Sequence, residues 1–446
     1  MNYLPRALPY LVLLGFFLGS ACSREQVTEA QEHRDAAKVL LCWNKLLLEL
    51  DRYTEGYRAP VSARMFAYTY IAVWESCLPA MPGNRSLADR LPGLQLPKWE
   101  NKGQFALPVA LNAAFERSIR HFFPHQPIQV DRQFKNTQKD MAELVEDNYA
   151  PDAFLASRKF GEAVADAVYA WSATDRAGHR AFLFNFDQHY VAPQGEGLWT
   201  PTTMPALLPN WGQVRTFAIV PDSITTTPPL PFSNEEGSPF FAQAYEVYQI
   251  SQPLSEENRW IAEFWSDDFA GVTFCAVSRW ISIANQFVEQ QRPSFPETAH
   301  LYLALGLALH DVTVKVWRDK YRFNLERPQA YISRNIYPNW KPLHDSAPFP
   351  GYPSGHAAFA SAAATVFAEL FGDKTTLTDV SHKGRKEFNG EPRTFHSFSE
   401  MARENAFSRL AMGVHFRMDC EEGLRLGQIV GKEVVAFCGG RTSLAQ

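Results

Sequence analysis

Cysteine is scarce in this chain and scattered: six residues in 446, with no CxxC pair. That excludes a paired-thiolate metal site, and no disulfide framework can be read in a chain this long. An excess of basic charge is missing as well. Lys and Arg number 43 against 48 Asp and Glu, for a formal charge of −5 and no basic run, which excludes the electrostatic footprint of a nucleic-acid binder. The leading apolar stretch, Leu8 to Leu18, falls short of the roughly 20 residues that cross a bilayer. What is present is 46% apolar residues, enough to bury the core of one large domain or two medium ones.

Taken in order, residues 1–21 place Arg6 before the short apolar stretch and small residues after it, the arrangement of a secretory signal peptide. Gly19-Ser20-Ala21-Cys22 resembles a bacterial lipoprotein cleavage site, with glycine where leucine is typical. The resemblance implies an exported protein, periplasmic or at the cell surface, tethered by a lipid on Cys22. Cys42, Cys77, Cys275, Cys420 and Cys438 would remain. Free thiols are expected, with Cys420 and Cys438 the pair to test for a bridge.

Apolar residues then recur at intervals of three and four, which predicts helices over Ala36–Tyr53, Ser62–Cys77, Leu107–Phe123, Val130–Asn148 and Ser157–Thr174. They carry no ligand-like cluster and read as scaffold and as a surface for self-association into a homo-oligomer. Asp175 to Pro239 breaks the rhythm with repeated prolines and glycines. Its Trp199, Trp211, Phe217 and Leu230 demand burial, so an ordered loop is expected, packed over a site or bridging two helical halves. Helices resume over Phe240–Gln249, Glu256–Phe269, Val272–Glu289 and Glu297–Tyr321, and Gly423–Phe437 closes the chain. Asp267 and Asp268 are expected at a solvated helix end, and His310 and Asp311 in a structural role. The polar stretch between Phe371 and Glu400 reads as surface loop, with Ser397 and Glu400 capping the helix that follows. The organisation expected is a signal peptide at 1–21, a helical region with the long loop at 22–237, and a second helical region at 238–446.

Three short motifs in the second region carry chemistry. In KYRFNLERP, Lys320 and Arg327 are seven residues apart, which on one helix places both on one face, with Pro328 ending the helix. In YPSGH, Ser354 precedes an alanine-rich helical run. The Gly355 and His356 amides would face an anion at the helix start, and Gly355 would let it approach closely. In SRLAMGVHFRMD, Arg409 stands before His415, and Asp419 lies four residues beyond it. On a helix, Asp419 would accept from His415 Nδ1–H and leave Nε2 as the ligand face. Three cations about one point repel each other by about 4 kcal/mol per pair at 4 Å in an effective dielectric near 20. A dense oxyanion such as phosphate or vanadate would relieve that repulsion.

KX6RP, PSGH and SRX5HX3D, unbroken and in order, resemble the superfamily of type 2 phosphatidic acid phosphatases (PAP2), bacterial acid phosphatases and vanadium-dependent haloperoxidases. The resemblance covers about a quarter of the chain and implies an all-α helical-bundle fold. Trp317 and Phe349 are similar to aromatics at the halide site of chloroperoxidase-type members. Gly197–Phe217 and Trp265–Asp268 resemble bacterial haloperoxidase-related, iodoperoxidase-like proteins. For such an enzyme the resemblance implies vanadate on His415, held by Lys320, Arg327, Ser354, Gly355, His356 and Arg409. Hydrogen peroxide and a halide, iodide or bromide, would be its substrates, with His356 as acid/base, Lys320 polarising the peroxide and Asp419 orienting His415. A phosphomonoesterase acting on a phosphate ester through a phosphohistidine at His415 would use the same residues, with phosphate as competing ligand. A surface lipoprotein that only captures an oxyanion is the third reading. His344, ahead of Phe349, is a candidate proton relay.

Overall fold

The protein is described by a computed structural model covering residues 27–101, 103–146, 148–201, 205–267, 269 and 271–440. The expected signal peptide and Cys22 lie outside the described residues. Among those residues the architecture is all-α, apart from one two-stranded sheet. Helices α1 (Glu29–Tyr53), α2 (Ala59–Cys77), α3 (Leu107–Phe122), α4 (Ile128–Glu146) and α5 (Pro151–Ala173) pack on one another. After the long loop come α6 (Pro239–Ser251), α7 (Glu256–Phe264), α8 (Ser278–Gln291), α9 (Phe295–Phe323), α10 (Pro328–Asn335) and α11 (Gly355–Phe371). Strands β1 (Leu377–Asp379) and β2 (Arg393–Phe395) precede α12 (Phe398–Ala411) and α13 (Arg417–Cys438). No described helix is long and apolar enough to cross a membrane.

The axis of the fold is α9. It opens on a capping box, Ser294 with Glu297, and is buried along nearly its whole length. One side meets α2, where Gly306 lets the helices close in: a Cβ there would stand 2.7 Å from Tyr70 Cδ2. The other side meets α11 and α13. One apolar core cluster takes in side chains of most of the helices, α1 and α13 included, while α6 and α10 share a second.

The contact that matters most for function joins α11 and α13. On α13, Gly423, Gly427 and Gly431 recur every four residues and so form one ridge. Cβ atoms on these glycines would stand 2.6 Å from Ser354 O, 2.3 Å from Ala358 O and 2.8 Å from Thr365 Cβ. The alanine-rich α11 supplies the matching flat face, with Ala357, Ala358 and Ala362 wholly buried. Close approach of the two backbones sets the start of α13 beside the start of α11.

The long loop is ordered, as its aromatics require. Asp311 on α9 accepts the backbone N–H groups of Phe217, Ala218 and Ile219 at 2.9, 2.8 and 3.2 Å. Burial pushes this carboxyl up to about 7, against the pull of those three donors. Trp211 donates to Thr313 at 3.1 Å, and Thr226 to Asp319 at 2.5 Å. Thr227 N–H reaches Glu422 on α13 at 2.9 Å, so the loop joins α9 to α13. His310 donates from Nε2 to Arg215 O at 2.7 Å. His310 and Asp311 thus have the structural role expected of them.

Several expectations are corrected. The helix expected over Glu256–Phe269 stops at Phe264, with Trp265 as its C-cap, and that over Val272–Glu289 begins at Ser278, after Gly271 at φ +74°. Asp267 is only 2% exposed, paired with the buried Arg279 at 3.7 Å, so it is not a solvated helix end; Asp268 lies outside the described residues. Part of the stretch expected as surface loop forms β1 and β2, whose Leu377 and Phe395 pair in register and are buried. Cys420 and Cys438 are free and sit eighteen residues apart on α13. At 1.5 Å rise per residue that is about 27 Å, far beyond the reach of a disulfide.

Two outcomes test this packing. Gly427→Ala drives a methyl into the Ala358 carbonyl, and neither helix backbone can yield without moving the other; a loss of about 1–3 kcal/mol is expected in urea unfolding. Unchanged stability would mean the ridge is loose. The second concerns His310, whose burial lowers it from 6.5 to about 4. Between these values the unfolded chain binds a proton that the folded chain refuses, so stability is lost as pH falls from 6.5. His310→Gln keeps a donor for Arg215 but does not titrate. Between pH 6.5 and 5 the wild type should lose about 1–2 kcal/mol more than this variant.

Candidate active site

Lys320 lies in the last turn of α9 and is completely buried. The expectation that Arg327 shares its helical face is corrected. Asn324, at φ 48°, ends α9 with its N–H on Lys320 O at 2.8 Å. Arg327 is the extended N-cap of α10, where Pro328 takes the first helical position rather than ending a helix. The cations meet because the chain turns back. Residues 349–351 run beside them as a ledge, tied by Gly351 N–H to Leu325 O at 3.0 Å. Lys320 Nζ donates to Pro350 O and Gly351 O at 3.0 and 2.7 Å. Arg327 Nε donates to Phe349 O at 3.0 Å and Nη1 to Val414 O at 2.9 Å. All four acceptors are neutral, so these bonds hold both cations without cancelling their charge.

His415 and Asp419 pair at 2.9 Å, Nδ1 to Oδ2, but not along a helix. His415 precedes α13, Phe416 is its extended N-cap, and Asp419 stands in the first turn. There the same Asp419 oxygen accepts Phe416 N–H at 3.1 Å, so one carboxylate caps the helix and orients the imidazole. With Nδ1 carrying the proton, Nε2 presents its lone pair, 3.5 Å from Arg327 Nη1. Ser354 caps α11, and its own N–H donates to Asp419 O at 2.8 Å, which binds the starts of α11 and α13 together. His356 occupies the first turn of α11, half-buried. A Cβ on Gly355 would meet the Phe359 ring at 3.4 Å and Trp317 at 3.6 Å. These are ordinary contact distances, so neither ring by itself demands a glycine there.

Arg409, near the end of α12, donates from Nε to Ser408 Oγ at 3.0 Å and from Nη2 to the Trp265 carbonyl. Ser397 caps α12 on the Glu400 N–H at 3.0 Å, as expected. The Phe349 ring lies 5.0 Å from that of Trp317, with Lys320 Nζ 5.2 Å and Arg327 Cζ 5.0 Å from its centre. Phe349 thus stands against both cations, with Trp317 packed beside it. His344 packs edge-on against Phe269, with ring centres 4.8 Å apart.

The electrostatics follow from this geometry. Burial, then Arg327, Lys320, His356 and Arg409, hold His415 well below the usual histidine range, so its ring is neutral. Burial and then Arg327 depress Lys320 well below the lysine range. Burial lifts Asp419 to about 7, opposed by Lys320, the Phe416 N–H and Arg327. One unprotonated imidazole nitrogen thus sits where the fields of two arginines and a lysine converge. Among the described residues no group of three His, Cys, Asp or Glu side chains forms a cage for a bare cation. The donor set suits a compact oxyanion that also accepts a bond from imidazole, and vanadate fits that description.

A family model described as the VCPO second helical-bundle domain matches residues 300–441. The chain is also similar to the crystal structure of the first bacterial vanadium-dependent iodoperoxidase: 27% identity and a TM-score of 0.78, covering 90% of this chain and 96% of that one. These likenesses support membership of the vanadium haloperoxidase superfamily. Vanadium chloroperoxidase of Curvularia inaequalis is 25% identical over 27% of this chain, a match that spans 28% of that enzyme. The apo-type bacterial vanadium-dependent chloroperoxidase, 16% identical with a TM-score of 0.67 over 87% of this chain and 98% of that one, shares the fold.

What sequence reasoning missed at this haloperoxidase-type site are the acceptors: the carbonyls of Phe349, Pro350, Gly351, Val414 and Trp265. A backbone oxygen leaves no residue signature, so no motif could have found them. The Asp419 arrangement makes one prediction. Asp419→Asn keeps the shape but weakens both the cap and the hold on His415, and orthovanadate binding, followed by equilibrium titration, should weaken about 10- to 100-fold. Binding equal to wild type would show that the carboxylate does not orient the ligand.

Proposed function

We propose that the protein is a vanadate-dependent haloperoxidase that oxidises a halide, iodide by preference, with hydrogen peroxide. One observation carries this reading: His415 is fixed through Nδ1 by Asp419, with a neutral Nε2 turned into the field of Lys320, Arg327 and Arg409. In this reading Nε2 binds vanadate, and Lys320, Arg327, Arg409, Ser354 and the Gly355 amide hold its oxygens. Vanadate, when bound, supplies the peroxide-dependent oxidation of halide.

The remaining work falls to the protein's own residues. Lys320, held by two carbonyls rather than by a carboxylate at hydrogen-bonding distance, is placed to polarise hydrogen peroxide as it enters. His356, half-buried at the positive end of α11, receives the proton that peroxide gives up and returns one to the departing product. Asp419 keeps His415 in the tautomer with a proton on Nδ1. Trp317 and Phe349 exclude water and offer a polarisable wall to a large halide. Among the described residues the buried Trp317 indole N–H has no hydrogen-bond partner, which leaves it to meet an anion. Iodide is the easiest halide to oxidise and demands least of such a wall.

A paired assay tests the proposal. The protein loaded with orthovanadate should oxidise iodide in the presence of hydrogen peroxide, and His415→Ala should abolish that activity. The apo protein should release phosphate from an aryl phosphate slowly or not at all. Fast phosphate release by the apo form, with no halide oxidation by the loaded form, would assign the pocket to a phosphohistidine mechanism instead.

A further inference from the structure

We propose that Trp265 is a positioning residue for Arg409, and that Glu404 is its partner in that role. The inference rests on the oxyanion reading of the pocket. Trp265 follows the last residue of α7 and is wholly buried. It touches α12 twice. Its indole N–H donates to Glu404 Oε1 at 3.0 Å, and its carbonyl accepts from Arg409 Nη2. Glu404 and Arg409 are five residues apart on that helix, about 7.5 Å along its axis. Two contacts at that separation fix both where the guanidinium sits and which way it points.

Trp265 is itself held from behind. Its ring stacks on Trp280, 6.1 Å away with planes 19° apart, and the Arg279 guanidinium lies 5.3 Å from its centre. Arg279 is completely buried and donates to Asp379 from Nε at 3.1 Å and from Nη2 at 2.8 Å. A buried ion pair of this kind contributes little net stability but fixes geometry. A rigid line of contacts therefore runs from β1 through Arg279 and Trp265 to an arginine of the anion pocket. Arg409 has a long side chain with many rotamers, and ordering it before the anion arrives removes an entropy cost from binding.

The test is orthovanadate titration of the full-length protein in a double-mutant design. Trp265→Phe keeps a ring but loses the indole donor; Glu404→Ala removes the acceptor, and with it the 2.7 Å pair to Arg393, while leaving the Trp265 ring in place. Each should weaken binding about tenfold while the protein still melts cooperatively. Glu404→Gln, which retains an acceptor, should bind within about twofold of wild type. In an Arg409→Ala background neither Trp265→Phe nor Glu404→Ala should weaken binding further, because the group they position is gone. Single variants that bind like the wild type, or that lose the same factor in the Arg409→Ala background, would overturn the inference. Should Trp265→Phe fail to fold, Glu404→Ala decides alone. A wild-type chain that takes up no orthovanadate would overturn the oxyanion reading and this inference with it; wild-type binding with unaffected variants would overturn this inference alone.

Discussion

The structure depends on how closely α13 can lie against α11. Glycines at three successive turns of α13 remove the side chains that would otherwise hold the helices at the usual 8–10 Å. The same contact decides where the chemistry is, because His415 and Asp419 stand at the start of one helix and Ser354 and His356 at the start of the other. A backbone bond, Ser354 N–H to Asp419 O, links the two starts. It is short enough to form only because the helices are already nearly in contact.

A second constraint is electrostatic. Burying Lys320, Arg327 and Arg409 near one another costs free energy that no carboxylate at hydrogen-bonding distance of Lys320 relieves. The acceptors that satisfy Lys320 are carbonyls of the 349–351 ledge, and Arg327 uses a carbonyl of the same ledge. Neutral acceptors answer the requirement for hydrogen bonds while leaving the charge to be answered by an anion. Asp419, the carboxylate that is present, is already engaged with His415 and the Phe416 N–H. Burial and the neighbouring cations keep the histidine unprotonated, and an unprotonated nitrogen is what a ligand atom must be.

The fold class and the cast of the site were legible in the sequence; the means of assembly were less so. Helix periodicity located most of the helices to within a few residues, because apolar spacing reports directly on which face is buried. The motif residues converge, yet by different routes from those the spacing suggested. The seven residues from Lys320 to Arg327 read as two helical turns and are in fact a helix end, a left-handed Asn324 and a helix start. Tertiary contacts decided this: the loop at Gly197 and Trp199 pairs with Glu326 and Asn324 and holds the turn open. The same applies to Asp267, whose burial is set by Arg279, a residue twelve positions away with no motif to announce it. Three-residue strands such as β1 and β2 carry too little periodicity to be read at all.

The double duty of Asp419 couples two properties that are usually separate. Helix ends fray, and the first turn of α13 would ordinarily open and close without consequence for anything distant. Here the oxygen that satisfies the exposed amide of that turn is the one that steers the imidazole. Unravelling at residues 416–419 and loss of a competent histidine are therefore one event, and the ligand, once bound, would clamp the end of the helix.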